Sequence, residues 1–348
     1  GAVYMHDGTS SLWIDPQSPT SRYQRTLERA FPGQTVRITS HTRDGALLLA
    51  LVFSDRNPGE FYVYDTAAKK VLPLYARRLW IDPEAAAPTR LVTLTSRDGL
   101  ELHGYLTRPK GAADGTPLPM VVVPHGGPYG EHDDWWFDDD VQVLASAGYA
   151  VLRVNFRGSS NYGRKFLIEG QREWGRGIQT DLVDATRWAI AQRIADPARI
   201  CIAGASHGGY ASLAAVADEP TLFKCAVGYV GVYDLERVHK EIRGYSRADD
   251  AWADLWLGTR DQMPALSVIA KASRIQVPVF LAAGGKDRVA PVEHTERMEK
   301  ALRAAGVPVE TLYYPNEGHG FYVGAHRAEY YRRLLAFLSR HLGGATAK

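Results

Sequence analysis

The chain has 348 residues, long for a single domain, and its 45% hydrophobic and 23% charged content is that of an ordinary folded protein. Its 41 basic and 39 acidic residues leave a net charge of +2, so no global field selects nucleic acid or a membrane surface. No apolar run is long enough to cross a bilayer, and two cysteines are too few for a disulfide framework or a zinc cluster. Both, Cys201 and Cys225, fall in apolar runs and are expected as buried, reduced core residues. The chain opens on Gly1-Ala2 with no initiator Met, which points to an altered start, a removed signal peptide being one way to produce it. A cytoplasmic and a periplasmic location both stay open.

Residues 1–88 read as short β-type runs punctuated by turns. Ala2–Tyr4 precedes Asp7-Gly8, Val36–Thr39 precedes Arg43-Asp44-Gly45, Ala46–Phe53 precedes Asn57-Pro58-Gly59, and Glu60–Tyr64 follows. Ser21–Ala30 is a polar helical candidate ended by Phe31-Pro32-Gly33. Such a β-rich segment is too short for a substantial core and is expected to pack on other structure. Ala85–Pro88 reads as a linker, which sets the expected domains at 1–88 and 89–348.

From Arg90 the pattern changes. Leu91–Thr95 and Leu102–Thr107 flank Arg97-Asp98-Gly99 as a hairpin. Met120–Pro124, Tyr149–Val154, Arg199–Ala203, Cys225–Val230, Val277–Ala283 and Val309–Tyr314 follow as strands. Helical candidates lie among them at Val141–Ala147, Ile178–Arg193, Ala211–Ala217, Pro291–Ala304 and Tyr330–Leu342. Continuous apolar strands alternating with amphipathic helices predict an α/β fold with a mostly parallel sheet covered on both faces. Functional loops then belong at the carboxyl ends of the strands.

Gly204-Ala205-Ser206-His207-Gly208 lies between such a strand and such a helix. A Ser in G-x-S-x-G in this setting is the nucleophile elbow of α/β-hydrolases: the small residues let strand and helix approach, and the helix N-terminus faces developing negative charge. A hydroxyl needs a base, and the base needs an orienting acid, which the fold supplies in the order Ser, Asp, His. Asp287, in Gly284-Gly285-Lys286-Asp287, and His319, in Asn316-Glu317-Gly318-His319-Gly320-Phe321, follow the last two strands and fit that order. Asp287 would hold the imidazole's tautomer and His319 would act as base, then acid. After Met120–Pro124 comes His125-Gly126-Gly127-Pro128, whose Gly127 N–H, with that of His207, would form an oxyanion hole. His125 is expected to brace this loop at the substrate side.

These motifs, with Asn155-Phe156-Arg157-Gly158-Ser159, Tyr162-Gly163, Gly209-Tyr210 and His319-Gly320-Phe321, make residues 89–348 resemble the catalytic domain of the prolyl oligopeptidase family of serine peptidases. Its acylaminoacyl-peptidase and dipeptidyl-peptidase branches are the most similar. One departure is His207, where the family usually has Tyr; the backbone donor survives the change. The resemblance implies an α/β-hydrolase fold, no cofactor or metal, a peptide or acyl-peptide substrate, and a substrate-side role for Arg157 and Tyr162. It also implies that residues 1–88 are the last part of a β-propeller whose remainder is either a separate chain or lost from a truncated product; a homo-oligomer or a separate chain supplying the blades is the expected partner.

Trp252 and Trp256, with Tyr245, either wall an acyl or side-chain pocket or serve ordinary packing. The six carboxylates of Glu131–Asp140 read as an exposed acidic loop leading into a helix. No dinucleotide or Walker pattern occurs. The expected activity is serine hydrolysis of peptide or acyl-peptide bonds through an acyl-enzyme, with a carboxylesterase and a non-catalytic fragment as the alternatives.

Overall fold

A computed structural model describes residues 2–4, 6, 8–9, 11–113, 115–243 and 246–344. Tyr245 and Asp7, named above, lie outside the described residues. The chain divides into two compact units. One comprises Gly1–Leu91, Tyr105–Gly111 and Asp134–Ser146, the other Val92–Gly104, Ala112–Asp133 and Ala147–Lys348.

In the first unit, β1 (Ala2–Tyr4) pairs antiparallel with β2 (Ser11–Trp13). Helix α1 (Pro19–Ala30) starts where the Ser18 side chain accepts the Ser21 N–H, with a Pro in the first turn. Strands β3 (Thr35–His41), β4 (Leu47–Phe53), β5 (Glu60–Asp65) and β6 (Lys70–Ala76) follow as a four-stranded antiparallel sheet in sequence order. Along β4, alternate residues Leu48, Ala50 and Val52 are buried and meet Leu27 of α1, Val36 and Tyr64. One sheet face is thus covered by a helix, and the unit has a small core of its own. Strand β6 is absent from the sequence reading because it contains Pro73. This Pro lies on an edge strand of the sheet, opposite Tyr62 and beside a register shift, settings in which a Pro is tolerated.

Strands β7 (Thr89–Thr95) and β8 (Glu101–Thr107) run through the division between the units. Next come β9 (Leu118–Val122), α2 (Asp139–Ser146), β10 (Ala150–Asn155), α3 (Gly163–Ile168), α4 (Gly177–Ala191), β11 (Ala195–Ala205), α5 (His207–Asp218) and β12 (Cys225–Tyr229). They are followed by α6 (Leu235–Ile242), α7 (Arg247–Trp256), α8 (Met263–Leu266), β13 (Val279–Gly284), α9 (Val292–Ala304), β14 (Val309–Tyr314) and α10 (Gly324–Leu342). The eight-stranded sheet has the order β14-β13-β12-β11-β9-β10-β8-β7, and its pairings from β10 to β14 are parallel. Every residue of β10 and β13 is buried, as the continuous apolar runs required.

Helix α5 is buried from His207 to Ala217, and its small side chains allow it to lie against β11 and β12. The expected hairpin at Arg97–Gly99 closes with the Ser96 N–H on the Leu100 carbonyl at 2.9 Å. The acidic loop does lead into a helix: Asp138 accepts the Val141 N–H, and Asp139 and Asp140 occupy the first turn of α2.

Two expectations are corrected. Cys201 and Cys225 are not reduced: they stand opposite one another in the β11–β12 register, with Cα atoms 4.8 Å apart, and form a disulfide. Burial of each was readable from its own neighbours, but adjacency of the two strands was not. Helix α10 starts at Gly324 rather than near Tyr330, because its first turns are polar and carry no apolar period. Helices α6 and α7 were also unread, although Asp234 and Ser246 cap them by accepting the N–H groups of Arg237 and Asp249.

Candidate active site

Strand β11 ends at Ala205 and α5 begins at His207, leaving Ser206 as the whole connection. It sits at φ 58° and ψ −121°, a region that costs a non-Gly residue free energy and persists only when its surroundings impose it. They do so through close backbone approach. A Cβ on Gly204 would stand 2.5 Å from the Gly208 carbonyl carbon, and one on Gly208 would stand 2.2 Å from the Pro124 carbonyl oxygen. The Ser206 N–H donates to the Tyr229 carbonyl at the end of β12 (2.9 Å). The side chain therefore projects at the N-terminus of α5, where first-turn N–H groups have no partner within the helix.

Asp287 and His319 follow β13 and β14, which are neighbours in the sheet, and their side chains meet: His319 Nδ1 lies 2.8 Å from Asp287 Oδ2. The other carboxylate oxygen accepts the N–H groups of Val289 and Ala290, each at 2.8 Å. The Asp287 side chain is fully buried with these bonds made, whereas the imidazole is 27% exposed. An imidazole held through Nδ1 presents Nε2 for proton transfer. The two loops also support each other: the Glu317 carbonyl accepts the Lys286 N–H, and a Cβ on Gly284 would collide with the carbonyls of Gly318 and Glu317.

Glu317 was not singled out from the sequence. Nearly buried, it accepts from the N–H groups of Tyr322 and Val323 and pairs with His326 Nδ1 at 2.7 Å, so it ties the His319 loop to the start of α10. These partners hold its carboxyl below the usual range, the Tyr322 N–H foremost. Its place two residues before His319 was the only signal available.

Ser206 and Gly127 open into one cleft of about 650 Å³, walled by Trp174, Val232, Val238 and Trp252. Glu241 and Asp249, from α6 and α7, and Arg288, beside Asp287, add charge of both signs. Gly127 is at φ 111°, which favours glycine, and a Cβ on Gly126 would lie 3.6 Å from that of Ser206. His207 is buried, with Nδ1 3.4 Å from the His125 carbonyl and Nε2 without a hydrogen-bond partner among the described residues. Its ring packs edge-on to Trp174 with centroids 5.0 Å apart. Burial, and secondarily the neighbouring His125, push its pKa down to about 3, so the ring is neutral at ordinary pH.

Four residues expected at the substrate side have partners of their own within the protein. His125 stacks on Phe156 at 4.1 Å and bonds the Gly126 carbonyl and Ser159 Oγ, at 2.7 and 2.9 Å, so it braces the loop. The buried Arg157 guanidinium is taken up by Asp181 and Asp98. Tyr162 accepts from Asn155 at 2.9 Å and stacks on His103 at 4.5 Å. Trp256 uses its carbonyl to accept the Tyr129 hydroxyl at 2.9 Å. Among the described residues no group of His, Cys, Asp and Glu is placed to hold a metal, and no helix is long and apolar enough to cross a membrane.

Comparison with known proteins agrees with this architecture. The chain is 31% identical over 337 residues to dipeptidyl aminopeptidase BIII of Pseudoxanthomonas mexicana, an alignment covering 91% of this chain and 48% of that protein. It is 27% identical over 256 residues to the acylamino-acid-releasing enzyme of Sus scrofa, covering 70% of this chain and 34% of the relative. The chain thus spans about half or less of the length of these relatives. Among solved structures, a puromycin-hydrolyzing peptidase of Mycobacterium tuberculosis superposes with a TM-score of 0.77 at 28% identity, over 87% of this chain and 48% of that one. The model of the prolyl oligopeptidase family matches residues 135–345, from the acidic loop to the end of α10 and across the Ser206, Asp287 and His319 loops. With more than half of its length matched, the chain belongs to the prolyl oligopeptidase family.

Proposed function

We propose that this chain is the catalytic part of a serine peptidase that cleaves peptide or acyl-peptide bonds through an acyl-enzyme. Ser206 Oγ adds to the substrate carbonyl carbon while His319 Nε2 takes its proton. Asp287 holds the ring by Nδ1 and stabilises the imidazolium. The N–H groups of Gly127 and His207 receive the oxyanion, and removing one such donor typically costs about 10²–10³ in rate. The C–N bond breaks as His319 returns the proton to the leaving amine. Water, deprotonated by the same nitrogen, then releases the acyl group. The observation that carries this reading is the 2.8 Å His319–Asp287 pair, on a loop system joined through Tyr229 to the strained Ser206 turn.

The same triad would serve an ester. The family membership and the names of the relatives favour the peptide reading over a carboxylesterase, and the His319–Asp287 pair with the strained Ser206 turn favours it over a non-catalytic fragment. A fluorophosphonate probe should label wild-type protein at Ser206 and leave S206A unlabelled; folded wild type that stays unlabelled refutes the reading. Matched amide and ester substrates, each with free and blocked amino termini, then assign the class by kcat/KM. A preference for free termini places the protein with the dipeptidyl aminopeptidase relative, and a preference for blocked termini with the acylamino-acid-releasing one.

We read β3–β6 as a terminal β-propeller blade that further β structure completes. Its outer strand β6 exposes Leu72 (51%), Leu74 (61%) and Tyr75 (60%), more apolar surface than an unpartnered edge usually shows. A monomer by light scattering, with nothing co-purifying, counts against this.

A further inference from the structure

The nucleophile turn and the imidazole loop leave the sheet from β11 and β14, with β12 and β13 between them. Strand β13 leads to Asp287, whereas β12 leads to no group of the proposed triad. It ends at Tyr229, and that residue bonds in both directions. Its carbonyl accepts the Ser206 N–H at 2.9 Å. Its phenol oxygen accepts the N–H of Phe321, two residues beyond His319, and a Cβ on Gly320 would lie 3.7 Å from the same oxygen. The ring is fixed by stacking on Tyr330 of α10, with centroids 4.5 Å apart, and by the edge contact with Phe321 at 5.0 Å. A side chain with few rotatable bonds, packed on two sides, holds its polar tip at a set distance from its own backbone.

We propose that Tyr229 is a positioning residue that sets the separation between Ser206 and His319. Its main chain carries the nucleophile turn and its hydroxyl carries the imidazole loop, so the two loops share one rigid spacer. The inference rests on the Ser206–His319 reading above. It adds a requirement of its own: the phenol oxygen, and not merely the ring, governs proton transfer. Nucleophile and base must approach to hydrogen-bond distance, and displacement of a reacting group by about 1 Å can cost about 10²-fold in rate.

The test compares Y229F, which deletes only the oxygen, with Y229A, which also removes the ring. Assays run well below the melting temperature of each protein. The expected result is that kcat falls about 10- to 100-fold in both variants. KM should stay near the wild-type value, and fluorophosphonate labelling should slow in step with kcat. Y229F should keep the wild-type melting temperature while Y229A loses some of it. If Tyr229 only packs, Y229F turns over and labels like wild type and Y229A alone suffers; that overturns the proposal and leaves the triad untouched. Wild-type protein that never labels at Ser206 removes the triad reading, and this proposal with it.

Discussion

Replacing Arg157 by Met tests whether the guanidinium is structural or contacts substrate. Arg157 Nε and one terminal nitrogen donate to the two oxygens of Asp181 at 2.9 and 2.6 Å, and Asp98 accepts at 2.8 and 3.1 Å. The Arg157 backbone N–H also donates to Asp181 at 2.9 Å. The side chain of Asp181 has no exposure, whereas that of Asp98 is 51% exposed. The two acids accordingly shift in opposite directions. Burial pushes Asp181 up against the opposing pull of Arg157, while Asp98, still hydrated, is held well below the carboxylate range by its bond to Arg157.

R157M therefore strands a buried carboxylate on one backbone N–H, a change that costs about 3–5 kcal/mol. At roughly 2 °C per kcal/mol, the melting temperature should fall by about 6–10 °C. The double variant R157M/D181L removes both buried charges and should recover most of that loss, because Asp98 returns to water. Urea unfolding followed by tryptophan fluorescence measures the stability, and KM for an amide substrate should stay unchanged because the guanidinium is already taken up by Asp181 and Asp98. A loss of stability below about 1 kcal/mol, small for a broken buried ion pair, together with a raised KM, would refute this reasoning and return Arg157 to the substrate.

Two further predictions follow from the elbow. Folded His207 takes a proton only near pH 3, whereas an unfolded His does so near 6.5, so between those values the unfolded chain binds more protons. Its contribution to stability is thus full above about pH 6.5 and declines toward about 1.4 kcal/mol per unit as pH falls; H207F should flatten that slope in urea titrations between pH 6.5 and 5, and equal slopes would contradict the assignment. G208A sets a methyl 2.2 Å from the Pro124 carbonyl oxygen, where backbone on both sides leaves no room to yield. Its cost should be at least the roughly 1–3 kcal/mol of an overpacked core, read as a lower urea midpoint together with slower labelling of Ser206.

The parts of this protein legible from the chain are those set by local chemistry. Met120–Pro124 and Val277–Ala283 read as buried strands because a sheet covered on both faces needs apolar residues at every position. Ser206 was legible because its turn admits little but glycine two residues to either side, at Gly204 and Gly208, and Asp287 and His319 because loops after strands carry few other groups able to orient or accept a proton. Strand β6 was hidden by Pro73, whose tolerance depends on lying at a sheet edge, and α6 and α7 by short, charged sequences whose apolar positions matter only once a cleft exists beside them.

By itself, then, the sequence determined the α/β-hydrolase class, the order of the central strands and their flanking helices, and the residue types able to perform acyl transfer. Only the tertiary structure decided which strands are neighbours, because a parallel sheet pairs segments far apart along the chain. That adjacency joins Cys201 to Cys225 and sets Tyr229 between Ser206 and the His319 loop. It also sets Arg157 between the carboxylates of Asp98 and Asp181. Each outcome turns on a distance of a few ångströms between residues tens of positions apart, and that distance is fixed by packing the whole core.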